Sequence, residues 1–272
     1  MTDYLDAAVD YTTPEFAATY DELPFWSARF GGLLLDHLEL RGGITAVDLA
    51  CGTGFPLFEL ARRHDPTSRF YGVDVWRSAL AHAERKRQAY GAANVTLVYG
   101  SGAALPFGAG ALDLIVSNLG INNFDDKPAA FAECARALRP GGRLAITTNL
   151  RGHMAEFYAA FRETLHELGQ AEALTRLSEH EDHRGTPASV TALFTEAGFR
   201  AVRLVENSFA MRFQNGSAFL RHWLIRLGFL PAWRALLTPS DERRVFAALE
   251  ARLNTAGELR LTIPMLYAEG VK

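Results

Sequence analysis

The chain of 272 residues is short of several things, and each shortage removes a class of protein. It has two cysteines, Cys51 in a glycine-rich turn and Cys134 in a helical pattern. Two isolated thiols make neither a disulfide framework nor a thiolate metal site, so a reducing, cytoplasmic setting is expected and no metal. No stretch reaches the roughly 18 consecutive apolar residues of a membrane-spanning helix. The opening Met1-Thr2-Asp3-Tyr4-Leu5-Asp6 is acidic and lacks the apolar heart of a secretory signal. Basic excess is missing too: the formal charge is −3. The densest basic cluster, Arg85-Lys86-Arg87, lies in a helical pattern and reads as a solvated face. Neither nucleic acid nor a membrane is an expected partner. There is no internal repeat, low-complexity tract or Ser/Gly linker.

What is present is an alternating rhythm. Apolar residues make up 49 % of the chain, enough for one large core or a core with a cap. Short apolar runs read as buried strands at Ile44 to Ala50, Arg69 to Asp74, Val95 to Tyr99, Ala111 to Ser117 and Leu144 to Thr148. Helical patterns separate them at Leu57 to Arg63, Ser78 to Tyr90 and about Pro128 to Leu138. The residues Arg139-Pro140-Gly141-Gly142 read as a turn. Strand–helix alternation predicts an α/β fold with a parallel sheet and right-handed crossovers. After Asn149 the rhythm changes. His153 to Glu181 is helical in pattern, Pro187 to Ala197 is a helix stopped by Gly198, and Phe199 to Val205 is a sixth strand. Ser208 to Phe213 alternates, and an aromatic-rich helical stretch follows to about Leu253. Leu259 to Ala268 is a last strand. About fifty residues between the last two strands exceed an ordinary loop and predict an added cap. The expected organisation is a single domain. Residues 1–40 form N-terminal lid helices, 41–150 the cofactor-binding core, and 151–186 and 207–256 helical cap segments.

The chemistry concentrates in Val47-Asp48-Leu49-Ala50-Cys51-Gly52-Thr53-Gly54-Phe55-Pro56, with Asp74 twenty residues beyond Gly54. A strand, a tight glycine turn and a helix present bare backbone to a nucleoside cofactor. An acid at the end of the next strand is placed to accept both ribose hydroxyl hydrogens. Asp48 can orient the loop and reach a cofactor ammonium, and Gly52 and Gly54 allow a close approach that a β-carbon would block. A dinucleotide would require a third glycine, but that position is Leu57 counted from Gly52 and Phe55 counted from Ala50. No Gly-Lys-Ser/Thr follows, which removes a phosphate-binding P-loop.

Taken with Tyr71-Gly72-Val73-Asp74, Gly100 to Phe107, Leu112-Asp113-Leu114-Ile115-Val116-Ser117-Asn118 and Leu138-Arg139-Pro140-Gly141-Gly142-Arg143-Leu144, this loop resembles the class I S-adenosylmethionine-dependent methyltransferases. The resemblance covers Ile44 to Asn149. It is nearest to the small-molecule branch that includes quinone-ring methyltransferases. It implies a Rossmann-like, seven-stranded, mostly parallel sheet whose last strand, Leu259 to Ala268, is antiparallel. It implies S-adenosylmethionine as cofactor and S-adenosylhomocysteine as product. Asp48 and the loop Ala50, Cys51, Gly52 and Gly54 would hold the methionine part, and Asp74 the ribose. Val75 and Trp76 would flank the adenine, Gly102 and Ala103 would meet its edge, and Asn118 would lie beside the methionine portion. Two departures stand out. Ala50 replaces a frequent glycine, expected to be tolerated in ordinary dihedrals. Ser101 replaces a frequent acid and accepts the adenine amino group more weakly.

Methyl transfer from a sulfonium needs alignment and exclusion of water. A general base is required only for a protonated acceptor. His153, just past the fifth strand, and His222, in the cap, are the candidate bases. The run Glu179-His180-Glu181-Asp182-His183-Arg184 reads as a solvated helix end rather than a metal site. Nucleic-acid amino methyltransferases often carry an Asn/Asp-Pro-Pro-aromatic element after the fourth strand, and Asn118 to Phe124 has none. Aromatic residues at helical spacing crowd the N-terminal segment (Tyr11, Phe16, Tyr20, Phe25, Trp26, Phe30) and the late insertion (Phe209, Phe213, Phe219, Trp223, Phe229, Trp233). Most are expected in the core, with Tyr20 and Trp26 as lid residues against the cofactor. The expected acceptor is a small, partly apolar metabolite, aromatic or polyketide-like, and the protein a monomer or homodimer. The competing readings are a protein or RNA methyltransferase and a cofactor-binding partner protein without catalysis.

Overall fold

The computed structural model describes residues 2–6, 10–22 and 25–272. Helices α1 (Pro14–Asp21) and α2 (Phe25–His37) come first. The alternating part follows as β1 (Thr45–Leu49), α3 (Leu57–Arg63), β2 (Arg69–Asp74), α4 (Arg77–Tyr90), β3 (Val95–Tyr99), β4 (Leu112–Asn118), α5 (Lys127–Ala137) and β5 (Leu138–Asn149). Next come α6 (Ala155–Glu167), α7 (Ala171–Asp182), α8 (Pro187–Glu196) and β6 (Arg200–Phe213). The chain then forms α9 (Gly216–Arg221), α10 (Trp223–Gly228), α11 (Leu230–Arg234), α12 (Pro239–Thr255) and β7 (Leu259–Val271). Among the described residues the strands form a seven-stranded sheet in the order β3-β2-β1-β4-β5-β7-β6, with β7 antiparallel. Strands β1 to β5 pair in parallel, with Asp48 opposite Gly72 and Asp74 opposite Tyr99. This is the expected fold.

The chain divides into two compact units. The larger comprises Asp10–Thr148, Thr186–Glu206 and Met265–Lys272. Its central parallel strands are buried: Val47, Val73 and Ile115 have no solvent contact, as apolar strand runs covered by helices require. Helix α4 stops at Gly91, whose φ of 61° only glycine adopts without strain. Helix α5 starts where the Asp126 side chain accepts from the Ala129 N–H at 2.9 Å, satisfying an otherwise orphaned donor. The smaller unit comprises Asn149–Gly185, Asn207–Pro264 and the described part of residues 1–9. Its core is aromatic: Phe157, Phe161, Phe219, Trp233 and Phe246 are fully buried, and the Phe157 and Trp233 rings lie 4.2 Å apart.

Several element boundaries differ from the sequence reading for local reasons. The Arg139 to Gly142 turn lies inside β5 as a bulge: Leu112 pairs with Leu138 and Leu114 with Arg143. The helical stretch after His153 breaks at Gly169, with φ of 69°. The stretch before Leu253 divides into four helices, two of which begin with a proline in the first turn, the place where its missing N–H does no harm. The sixth strand runs on through Glu206 and Asn207, which separate the strand reading Phe199 to Val205 from the alternating segment at Ser208, and Ser208 follows them in the same strand. All three are exposed, and a sheet edge tolerates polar residues on a strand.

Candidate active site

The ends of β1 and β2 lie side by side, and the loop between β1 and α3 is tied to the second of them. The Ala50 and Cys51 N–H groups donate to the Val73 carbonyl at 2.8 and 3.2 Å. The Asp74 carboxylate accepts from the Gly52 N–H and, through its other oxygen, from the Trp76 N–H, each at 2.7 Å. Each oxygen keeps lone-pair capacity for a ligand hydroxyl. Burial raises the Asp74 pKa, and the N–H groups of Trp76, Gly52 and Val75 oppose the rise.

Three residues of the loop have positive φ: Ala50 at 61°, Gly52 at 52° and Gly54 at 100°. A β-carbon on Gly54 would strike the Phe58 ring, whereas one on Gly52 would point into open space. Gly54 is therefore a packing glycine and Gly52 a cradle glycine. The expectation of ordinary dihedrals at Ala50 is corrected: Ala50 is in the left-handed region, where a β-carbon crowds the backbone and costs about 1–2 kcal/mol. Cys51 is buried, and burial pushes its thiol well up, followed by the charges of Asp48 and Asp74.

Asp48 is 1 % exposed, and neither carboxylate oxygen has a hydrogen-bond partner. Burial and the Asp74 charge push its pKa well above the ordinary carboxylate range, with the nearby Leu57 N–H opposing. A buried, unpartnered carboxylate is destabilising unless a cation arrives. An orphan acid beside a glycine cradle fits the ammonium of an amino-acid-bearing nucleoside.

The remaining expected contacts lie in the same unit. Val75 is 60 % exposed. The Trp76 indole N–H donates to the Tyr11 carbonyl at 2.7 Å, and the Tyr20 ring meets Trp76 edge-on at 5.3 Å. Tyr20 keeps 41 % of its surface exposed; desolvation of its phenol end and the Asp74 charge raise its pKa. Trp26 is half-buried and packs at 5.3 Å on Phe30. Ser101 is exposed, and its hydroxyl accepts from the Ala103 N–H at 3.3 Å. Gly102 is half-buried and Ala103 exposed. Asn118 is engaged on both sides: its amide donates to the Ser27 carbonyl at 3.1 Å and accepts from the Thr147 hydroxyl at 2.7 Å. It thus fastens α2 to the strand ends, a role its sequence position did not reveal. Gly31 was also missed; a β-carbon there would strike the Phe55 ring of the loop. The glycine pair Gly31-Gly32 inside a helical pattern was the available signal.

Both candidate bases belong to the smaller unit. His153 is 2 % exposed, with Nε2 unpartnered. Burial, then Arg184 and His180, lower its pKa to about 3. His222 caps α10, Nδ1 accepting from the Leu224 N–H at 3.2 Å, and burial lowers its pKa. The Glu179 to Arg184 run is not wholly solvated: His180 is half-buried and its Nε2 lies 3.2 Å from the Tyr158 hydroxyl.

Comparison with known proteins agrees with this geometry. Residues 46–142 match a family described as "Methyltransferase domain". A 2-phytyl-1,4-naphtoquinone methyltransferase of Thermosynechococcus vestitus is 32 % identical, over 73 % of this chain and 92 % of its own. Nocamycin O-methyltransferase of Saccharothrix syringae is 27 % identical over 250 residues, covering 87 % and 88 % of the two chains. The YcgJ protein of Bacillus subtilis, a solved structure, superposes with a TM-score of 0.61 at 17 % identity, over 90 % of this chain and 98 % of its own. The chain belongs to the class I S-adenosylmethionine-dependent methyltransferases. It is an enzyme of that class, with S-adenosylmethionine as methyl donor. Among the described residues no helix is long and apolar enough to cross a membrane.

Proposed function

We propose that this methyltransferase modifies a small, partly apolar metabolite of aromatic or polyketide-like build, by in-line displacement at the donor methyl. The observation that carries the reading is the extent of the match to Nocamycin O-methyltransferase. That alignment spans 250 residues; it is longer than the larger unit, so it takes in part of the helical unit as well. The naphthoquinone relative, by its name, also acts on a partly aromatic small molecule.

Bound S-adenosylmethionine supplies an electrophilic methyl on a sulfonium. In our reading Asp48 holds the ammonium, and the backbone of Ala50, Cys51, Gly52 and Gly54 cradles the methionine part. Asp74 binds the ribose hydroxyls. Val75, Trp76, Tyr20 and Trp26 enclose the nucleoside, and Ser101, Gly102 and Ala103 meet the adenine edge. Asn118 stays beside the methionine portion. The chain's task is then alignment and exclusion of water. For a phenol or enol acceptor, His153 and His222 are the base candidates, but burial and a pKa of about 3 leave His153 a poor base near neutral pH.

The test is formation of S-adenosylhomocysteine by the purified chain, by mass spectrometry, with naphthoquinols, phenols, enolised 1,3-dicarbonyls, total RNA and unfolded protein as separate acceptors. Turnover with one of the small-molecule classes is expected. Turnover with RNA or protein alone would overturn the reading.

A further inference from the structure

The larger unit has a cavity that methyl transfer does not use. It measures about 970 Å³, within the range of small-molecule sites. Arg62 and His64 from the end of α3, Arg69 and Tyr71 from the start of β2, and Asn94 from the loop before β3 line it. Strand β2 has Arg69 as its first residue and Asp74 as its last, about 17 Å apart along an extended chain. The cavity is therefore at the other end of this strand from the donor cradle.

Two side chains at the cavity are set to accept hydrogen bonds. His64 is 9 % exposed, and its Nε2 has no hydrogen-bond partner among the described residues. Its Nδ1 lies 2.8 Å from the Leu60 carbonyl oxygen, an atom that can only accept. The proton of the neutral ring is therefore on Nδ1, and Nε2 is a buried acceptor that calls for a donor. Asn94 repeats the pattern. Its amide group donates to the Ala61 and Ser68 carbonyls at 3.3 and 3.4 Å, which leaves its side-chain oxygen to accept.

The charge around these acceptors is positive. Arg62 and Arg69 are exposed. Arg62 lies over the Tyr90 ring at 4.8 Å, and among the described residues neither guanidinium has a carboxylate partner. By contrast Arg63, which does not line the cavity, pairs with Glu59 at 2.8 Å. Asp65 is occupied within its own turn, accepting from the Thr67 N–H at 2.8 Å and from the Thr67 hydroxyl. Bare carbonyls at the end of α3 would repel an anion, but those of Leu60 and Ala61 are engaged by His64 and Asn94.

We propose that this cavity is a second ligand site, for a phosphate monoester that carries free hydroxyls, as a sugar phosphate does. Arg62 and Arg69 take the phosphate, whose oxygens suit the planar guanidinium fork. One ligand hydroxyl donates to His64 Nε2 and another to the Asn94 side-chain oxygen. An anion without hydroxyls leaves both acceptors unanswered. The occupant does not compete with the donor, because the two sites share no residue.

The test is calorimetry on the full chain with ribose 5-phosphate, inorganic phosphate and ribose as separate probes, with and without saturating S-adenosylhomocysteine. Wild type is expected to bind one equivalent of ribose 5-phosphate, more tightly than either fragment and equally well in both conditions. Arg62→Gln and Arg69→Gln alter exposed side chains and should each weaken it about tenfold, the loss of one charge-assisted contact. His64→Phe should weaken ribose 5-phosphate severalfold and leave inorganic phosphate unchanged. No saturable binding by wild type, affinity in Arg69→Gln equal to wild type, or competition with S-adenosylhomocysteine would overturn the proposal. Inorganic phosphate binding as tightly as ribose 5-phosphate would overturn the hydroxyl requirement. Should His64→Phe not fold, the two arginine variants decide. Binding measured without the donor keeps this outcome separate from the methyl-transfer reading.

Discussion

Asp48 and His153 are buried titratable side chains of different units, and burial drives both to the neutral state from opposite directions. The carboxyl is pushed up and the imidazole down, to about 3. Their surroundings differ in kind. Asp48 closes a strand whose neighbours offer bare backbone, a second acid and an open cradle at Gly52. His153 packs among rings, edge-on to Tyr158 at 5.5 Å and 6.2 Å from Phe229. Beyond them Trp233 Nε1 fixes the Tyr158 hydroxyl at 3.1 Å. One region holds an acid without a protein partner beside a glycine cradle, whereas the other has absorbed its histidine into an aromatic core. Substitutions should therefore separate into those that change donor binding and those that change stability.

The largest expected effect is on binding. Asp74→Ala removes the acceptor of the Gly52 and Trp76 N–H groups as well as the proposed ribose partner, and S-adenosylhomocysteine affinity should fall at least about a hundredfold, near 3 kcal/mol. Calorimetry showing unchanged affinity would take Asp74 out of the site. The next effect is on stability. His153 has a folded pKa of about 3 against about 6.5 unfolded, so its contribution is fully present above the unfolded value and is lost as pH falls through that interval. Near pH 5 this one group accounts for about 2 kcal/mol. Denaturant unfolding of His153→Gln should show a shallower loss between pH 7 and 5; a slope equal to wild type would mean the imidazole is not held neutral.

Asp48 has the opposite sign. Its raised pKa means stability falls as pH rises above the ordinary carboxylate value. Asp48→Asn should raise the melting temperature of the cofactor-free protein at neutral pH while weakening S-adenosylhomocysteine binding about tenfold. The variant should also lose the pH dependence of that binding. Lower stability together with intact affinity would erase the contrast between the two regions. The smallest effect is at Ala50. Ala50→Gly relieves a left-handed alanine and should stabilise the protein by roughly 0.5–1 kcal/mol, with affinity kept. A drop in melting temperature would show that the loop needs the alanine side chain.

Much of the larger unit could be read from residue order alone. Strands Arg69–Asp74 and Val95–Tyr99 and helix Leu57–Arg63 have the bounds their patterns predict, because each is a local apolar run closed by its own glycine, proline or acid. The loop chemistry was legible for the same reason: spacing along the chain is geometry when strand, turn and helix are contiguous. Ala50 was misread because φ is not set by residue type once the Val73 carbonyl holds the loop. The helical breaks after Asn149 were misread because aromatic periodicity continues across them, and only packing decides which rings share one helix.

By itself the sequence determined the alternating sheet, the glycine turn and the two acids that close β1 and β2, since all of these are local consequences of periodicity and side-chain size. Only the tertiary structure decided that Asp48 stands unpartnered, that Asn118 fastens α2 and that His153 is held neutral. Each of those depends on which distant side chains share a volume from which water has been excluded, and no spacing along the chain encodes that.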